Sequence, residues 1–129
     1  MLVIYNINTY TSPATYSDVA LKEYQPGVSY IVERLKENGA LILGKANLSE
    51  WAYFFCEDCP SGYSAMGGQT LNPYGRKKLD TGGSSSGSGV AIAANLAPAA
   101  VGSENAGSIL SPSSQNSVVG LKPTIGVLS

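Results

Sequence analysis

Apolar and polar positions follow different rules in different parts of this chain. Val28, Ile31, Val32 and Leu35 recur three and four residues apart, the spacing of one face of a helix. The pattern predicts a helix over 26–40, with Pro26 near its start and Gly39 as its C-cap. ALILG (40–44) is an uninterrupted apolar run of strand length, and LVIYNI (2–7) has the composition of another strand. Residues 8–18 between them are rich in turn formers. ANLSEWAY (46–53) predicts a short helical segment, in which Trp51 and Tyr53, with Phe54 beside them, read as core. Residues 54–83 lack periodicity and form a long loop, which in a compact domain is usually functional or lies across other structure. A second helix is expected over 86–97, with Val90, Ile92, Ala93 and Leu96 inward and Ser84, Ser85 or Ser86 as its cap. AAVGS (99–103) reads as a buried strand and ENAGS (104–108) as the turn that leaves it. Ser111 precedes Pro112 and is expected to be extended. Helices alternating with short apolar strands point to an α/β layer arrangement.

Composition narrows the class. The chain has 129 residues, 43% hydrophobic and 13% charged, with a net charge of −1. That suits one compact domain over 1–129 and is too apolar for disorder. So low a charge implies that part of the surface is covered by a partner subunit or by further chain. No basic block supports nucleic-acid binding. No apolar run approaches the roughly 18 residues of a membrane span. MLVIYNI (1–7) has neither the charged start nor the cleavage site of a signal peptide, so the expected compartment is the cytoplasm.

Cys56 and Cys59 form a CxxC in a stretch whose Asp58, Pro60 and Gly62 argue for a loop. The chain contains no histidine, so a Cys/His zinc site has no second pair of ligands, and no metal or other cofactor is expected. Two loop thiols or an incidental disulfide fit better than a redox centre. The lack of histidine also excludes Ser-His-Asp and Cys-His chemistry within the chain.

A serine nucleophile would therefore need a lysine, or a serine relaying to a lysine, to take its proton. It would also need backbone N–H groups facing a developing oxyanion. Two Gly/Ser turns offer such groups: GGSSSG (82–87) at a helix start and NAGS (105–108) after a strand. On spacing alone, structural turns with capping serines are the better reading.

The residues that carry these turns resemble a known family. GGSSSGSGVAIAANLAPAAVGSENAGSILSPSSQNSVVGLKPTIG (82–126) closely resembles the signature region of the amidase signature family, serine hydrolases that cleave amide C–N bonds through a Ser–cis-Ser–Lys triad. ENGALILGKANLSEWA (37–52) and PSGYSAMGGQTLNPYG (60–75) resemble the passages that precede it, in the same order. Within the family the chain is similar to the bacterial peptide amidase branch. The resemblance implies a three-layer-type core of a mixed β-sheet flanked by helices, truncated relative to the full fold. It implies Ser108 as the acylated nucleophile, and Ser84 as the bridging serine that carries a cis peptide bond. The backbone N–H groups of Asn105, Ala106, Gly107 and Ser108 would form the oxyanion hole. The implied partner is a small amide or peptide-amide substrate. The uncovered edge of a truncated sheet would also favour self-association.

One departure has chemical weight. The family's lysine lies in an early strand that LVIYNINT (2–9) matches, and Ile4 falls at its position, with Tyr5 where an aspartate is usual. Lys45 belongs to a different family feature, and Lys22 is too far along to be a register slip. Ala106 and Leu110 replace a glycine and an arginine of the nucleophile turn. Losing one member of such a unit typically costs about 10³–10⁶ in kcat. Two readings follow: an impaired amidase core acting through an acyl-Ser108 intermediate, or a non-catalytic truncated or engineered fragment that self-associates or binds a partner. A thiol-redox module on Cys56 and Cys59 is a distant third. Arg76, Lys77 and Lys78 read as a solvated turn. Gly120, Lys122 and Pro123 belong to the family signature and read as structural.

Overall fold

The computed structural model describes residues 2–6, 30–54 and 57–127, the first group through its backbone. The side chains of Ile4 and Tyr5, and the readings placed on Pro26, Val28, Lys22, Cys56 and residues 8–18, lie outside the described residues. Strand β1 (Leu2–Asn6) is the middle of a three-stranded sheet, flanked by β2 (Leu41–Ala46) and β5 (Ala99–Val101). Both pairings are parallel: Leu2 faces Leu41, and Ile4 faces Gly44 on one side and Ala100 on the other. A register shift between Val3 and Ile4 interrupts the ladder to β2. Parallel neighbours require crossover connections, and helix α1 (Tyr30–Glu37) lies in the one between β1 and β2. A two-stranded antiparallel ribbon, β3 (Tyr63–Ser64) with β4 (Gly68–Gln69), gives the long loop its small piece of regular structure. Helices α2 (Ser86–Ala93) and α3 (Leu110–Gln115) complete the α/β arrangement.

Helix α1 ends as its sequence requires. Gly39 has φ +80°, and the N–H groups of Gly39 and Ala40 return to the carbonyls of Lys36 and Leu35. Val32 is buried and Ile31 and Leu35 are half-buried, so the expected apolar stripe faces inward.

Helix α2 differs from the expectation. It is buried through its small residues, Ser86, Gly87, Ser88, Gly89 and Ala91, while Leu96 is 63% exposed beyond its end. The cause is close approach. A Cβ on Gly87 would strike the backbone of Asn47, and one on Gly89 would lie 3.0 Å from the Pro112 carbonyl oxygen. The core here is made of Ala46, Ala91 and Ala97, backed by Ile92 and Ala100. Large side chains would hold the helix away from β2 and α3.

Three further expectations are corrected. Residue 46 ends β2, and the helical segment expected over 46–53 shrinks to a turn at Glu50–Tyr53 in which Trp51, Ala52 and Tyr53 have φ of 49°, 53° and 71°. Ser111 is helical, inside α3, because Pro112 sits in the first turn, where a missing N–H leaves no bond unmade. Ser85 occupies the N-cap position of α2 without a side-chain cap; its hydroxyl accepts the Ser103 N–H at 3.1 Å. Ser86 Oγ instead donates to the Gly82 carbonyl at 2.6 Å.

Candidate active site

Buried amides and hydroxyls organise the loop from 57 to 83. Asn47 Nδ2 donates to the carbonyls of Gly62 and Gly68 at 3.0 and 3.1 Å and to Thr70 Oγ1 at 3.0 Å, and its Oδ1 accepts Ser64 Oγ at 2.7 Å. Asn72 Nδ2 ties the Asp80 carbonyl to the Gln115 carbonyl at 2.8 and 2.9 Å. Asn116 Nδ2 bonds the Thr81 and Pro112 carbonyls, both at 2.8 Å. These side chains replace the backbone ladders that an irregular segment lacks.

The loop is thereby held against the Gly82–Ser86 turn. The Asp80 carboxylate accepts the Gly82 N–H at 2.7 Å, and Gly82 itself takes φ +62°. A Cβ there would meet the Ser111 and Pro112 backbone at 2.7 Å, so only glycine fits. The peptide bond between Gly83 and Ser84 is cis. The Ser84 carbonyl accepts the Ser49 N–H at 3.0 Å, and the next N–H, that of Ser85, donates to the Ser108 carbonyl at 3.0 Å. The two Gly/Ser turns are thus joined at one hydrogen bond.

Both turns open onto one cleft of about 560 Å³. Gly83, Ser84, Asn105, Ala106, Gly107 and Ser108 line it, together with Ala52, Tyr53, Phe54 and Ser61. Ser84 is 1% exposed, and its hydroxyl has no hydrogen-bond partner among the described residues. A buried hydroxyl left unpaired is costly, so such a group in a cleft marks a place where chemistry or a ligand supplies the partner. Ser108 is half-buried at the same cleft. The expected site residues 84 and 105–108 therefore come together, while the side chain at Ile4 lies outside the described residues.

Glu104 shapes the Asn105–Ser108 turn. Its Oε2 accepts the Ile109 and Leu110 N–H groups at 2.6 and 2.9 Å. Burial pushes its carboxyl up, but hydrogen bonds from the Leu110, Ile109 and Gly107 N–H groups, with the charge of Lys122, outweigh it and hold the pKa below the ordinary glutamate value. One of the four N–H groups expected for an oxyanion hole, that of Gly107, is thus turned toward a carboxylate. Those of Asn105, Ala106 and Ser108 have no acceptor among the described residues.

The reading of Tyr53 and Phe54 as core is corrected, while Trp51 is half-buried. Phe54 is 75% exposed, and both Tyr53 and Phe54 face the cleft. The three left-handed residues before Phe54 are the physical reason: they turn the chain outward where a right-handed helix would have folded its apolar side chains in. Ser49, Tyr53 and Ser61 also went unmarked in the sequence, since isolated hydroxyls carry no periodic signal; Ser49 lay inside the NLSE passage and had no role assigned.

Cys59 is disulfide-bonded. Among the described residues, no group of three or more His, Cys, Asp and Glu could hold a metal ion, and no helix is long and apolar enough to cross a membrane. Arg76, Lys77 and Lys78 are exposed, as a solvated turn should be.

Comparison with known proteins extends these observations. The amidase family model matches residues 4–129. The chain is 54% identical over 99 residues to a "Probable amidase" of Arabidopsis thaliana, covering 77% of this chain and 19% of that protein. It is 42% identical over 125 residues to a subunit of the glutamyl-tRNA(Gln) amidotransferase of Methanococcoides burtonii, covering 96% of this chain and 25% of the relative. Its fold superposes on the peptide amidase of Stenotrophomonas maltophilia with a TM-score of 0.86 and 50% identity, over 99% of this chain and 26% of that structure. The chain spans about a quarter or less of each relative's length.

Proposed function

The chain belongs to the amidase family, and from that premise we propose that residues 1–129 form one domain carrying the acyl-transfer core of an amidase, with the proton relay cut short at Ile4. The observation that supports this reading is the buried Ser84 hydroxyl, which has no partner among the described residues, in the cleft that Ser108 shares. Ser108 Oγ attacks the carbonyl carbon of a carboxamide as its proton passes to Ser84. Negative charge on the carbonyl oxygen is met by the N–H groups of Asn105, Ala106 and Ser108, which have no acceptor among the described residues. Collapse of the tetrahedral intermediate breaks the C–N bond, the amine leaves with a proton, and water then cleaves the acyl-Ser108 ester. Ser84 must pass its own proton on for the attack to be efficient. A lysine does so in the family, and the isoleucine at position 4 has no lone pair to accept it. The substrate is a small amide or a peptide amide, and the compartment is the cytoplasm.

A second reading is a non-catalytic fragment that self-associates or binds a partner. It is favoured by the apolar surface near the end of the chain, where Val119 is 99% exposed and Leu121, Ile125 and Val127 are also exposed. Covalent labelling with a fluorophosphonate, located by peptide mass spectrometry, separates the two. Labelling at Ser108 that weakens in Ser84→Ala and rises strongly in Ile4→Lys supports the amidase core and its register. Absence of labelling in both the folded chain and folded Ile4→Lys overturns it and leaves the fragment.

A further inference from the structure

A chain of hydrogen-bonded oxygens runs from Ser61 to the Gly82 carbonyl. Ser61 Oγ lies 2.9 Å from Tyr53 Oη, Tyr53 Oη 3.0 Å from Ser49 Oγ, Ser49 Oγ 3.1 Å from Ser86 Oγ, and Ser86 Oγ 2.6 Å from the Gly82 carbonyl oxygen. Ser49 and Ser86 are fully buried. The order of the protons follows from the carbonyl end. A carbonyl only accepts, so the single proton of Ser86 goes to Gly82. Ser49 then donates to Ser86 and accepts from Tyr53, as well as from the Gly62 N–H at 2.9 Å. Tyr53 accepts from Ser61. Every hydroxyl in the chain therefore directs its proton toward Gly82, and each bond strengthens the next.

Ser49 is the hub of this chain. Its N–H donates to the Ser84 carbonyl at 3.0 Å while its hydroxyl holds Ser86, and Ser86 holds Gly82. These bonds bracket Ser84. The Ser84 hydroxyl has no partner of its own among the described residues, so its position is set by the backbone of the turn that carries it. The phenol packs against the same turn: a Cβ on Gly83 would collide with Tyr53 Oη and lie 2.5 Å from Ser49 Oγ. The Ala52 N–H returns to the Ser49 carbonyl at 2.9 Å, and Trp51, Ala52 and Tyr53 are all left-handed. That uncommon backbone brings the phenol back to Ser49 within four residues.

We propose that Tyr53 is a positioning residue for Ser84, acting through Ser49 and Ser86 on the Gly82–Ser86 turn. This rests on the reading of the cleft as the amide site, in which Ser84 takes the Ser108 proton. The Tyr53 hydroxyl supplies one of the two bonds that Ser49 accepts. Without it the Ser49 hydroxyl is held less firmly toward Ser86, and the turn that fixes Ser84 loosens. Tyr53 also lines the cleft, so the test separates this role from contact with a ligand.

The test is the rate of fluorophosphonate labelling of Ser108 against probe concentration, which separates the maximal rate from probe affinity, in the chain and in Ile4→Lys. Tyr53→Phe keeps the ring. It is expected to lower the maximal rate about threefold to tenfold, the ratio one neutral hydrogen bond supplies, with probe affinity unchanged. Ser61→Ala removes a bond of the same kind one link farther out and should lower the rate less. In a Ser49→Ala background Tyr53→Phe should add nothing, because the link it acts through is gone. Equal effects of Tyr53→Phe and Ser61→Ala would overturn the proposal, as would a loss confined to probe affinity or a full additive loss in the Ser49→Ala background. Hydrogen exchange of the Ser49 N–H, which bonds the Ser84 carbonyl, reads the turn without labelling. Tyr53→Phe should speed that exchange more than Ser61→Ala does, and unchanged exchange in Tyr53→Phe would overturn the proposal. Faster exchange where neither the chain nor Ile4→Lys labels would remove the amidase reading and leave Tyr53 as the residue that sets the turn.

Discussion

The N–H of Ser85 donates to the carbonyl of Ser108 at 3.0 Å, across twenty-three residues of sequence. That bond sets the Gly82–Ser86 turn beside the Asn105–Ser108 turn, and each is anchored from its other side. Ser49 holds the Ser84 carbonyl, and Glu104 gathers the N–H groups that follow Ser108. The site is thus assembled mainly by backbone hydrogen bonds. Its geometry should be less sensitive to truncating Ser84 or Ser108 than to changes in the segments that pack the turns together.

Gly87→Ala should therefore be costly. The new methyl would meet the Asn47 backbone, which cannot move aside as a side chain could. A loss of about 1–3 kcal/mol is expected, measured by urea denaturation. Gly44→Ala is the control: a Cβ there meets nothing within 4 Å among the described residues and the backbone is not left-handed, so stability should change little.

Asn72→Ala should destabilise the chain by about 2–3 kcal/mol, since it removes donors from the Asp80 and Gln115 carbonyls at a fully buried position. The expected signature in hydrogen exchange is faster exchange at Gly82 and at Asn116. Both belong to the packed junction of the long loop with α3.

Glu104 makes stability depend on pH in one direction. Its folded pKa lies below the ordinary value of 4.5, so the unfolded chain binds more protons near and below that value. The contribution is present above the unfolded pKa and is lost as pH falls through the folded one. Thermal midpoints should therefore fall on acidification below about pH 4.5, and Glu104→Gln should flatten that part of the profile. The effect should be small and weaken in salt, because the carboxylate is largely in reach of water.

Gly83→Ala should act on the cleft more than on the fold. Its methyl would displace the Tyr53 hydroxyl and crowd Ser49. The expected result is slower fluorophosphonate labelling of Ser108, with little change in the urea midpoint.

Much of the architecture was legible in the residue pattern. The Val32 stripe and Gly39 located α1, and the apolar runs at 2–7 and 40–44 located adjacent strands, because periodicity and caps act locally. The mistakes at Leu96 and Ser111 share one cause. Local rules assume that large apolar residues seek the core and that a residue before proline is extended. Here close packing selected the small face of α2, and the first turn of α3 accommodated Pro112.

The sequence by itself determined the family, the two Gly/Ser turns, and which serines stand in them, since those follow from residue identity and order. Only the tertiary structure decided that the turns share a cleft, that Ser84 is buried there without a partner among the described residues, and that Tyr53 and Ser61 line the same cleft. Each of those facts depends on contacts between residues distant in sequence. The left-handed turn at 51–53 adds a backbone choice that side-chain pattern does not encode.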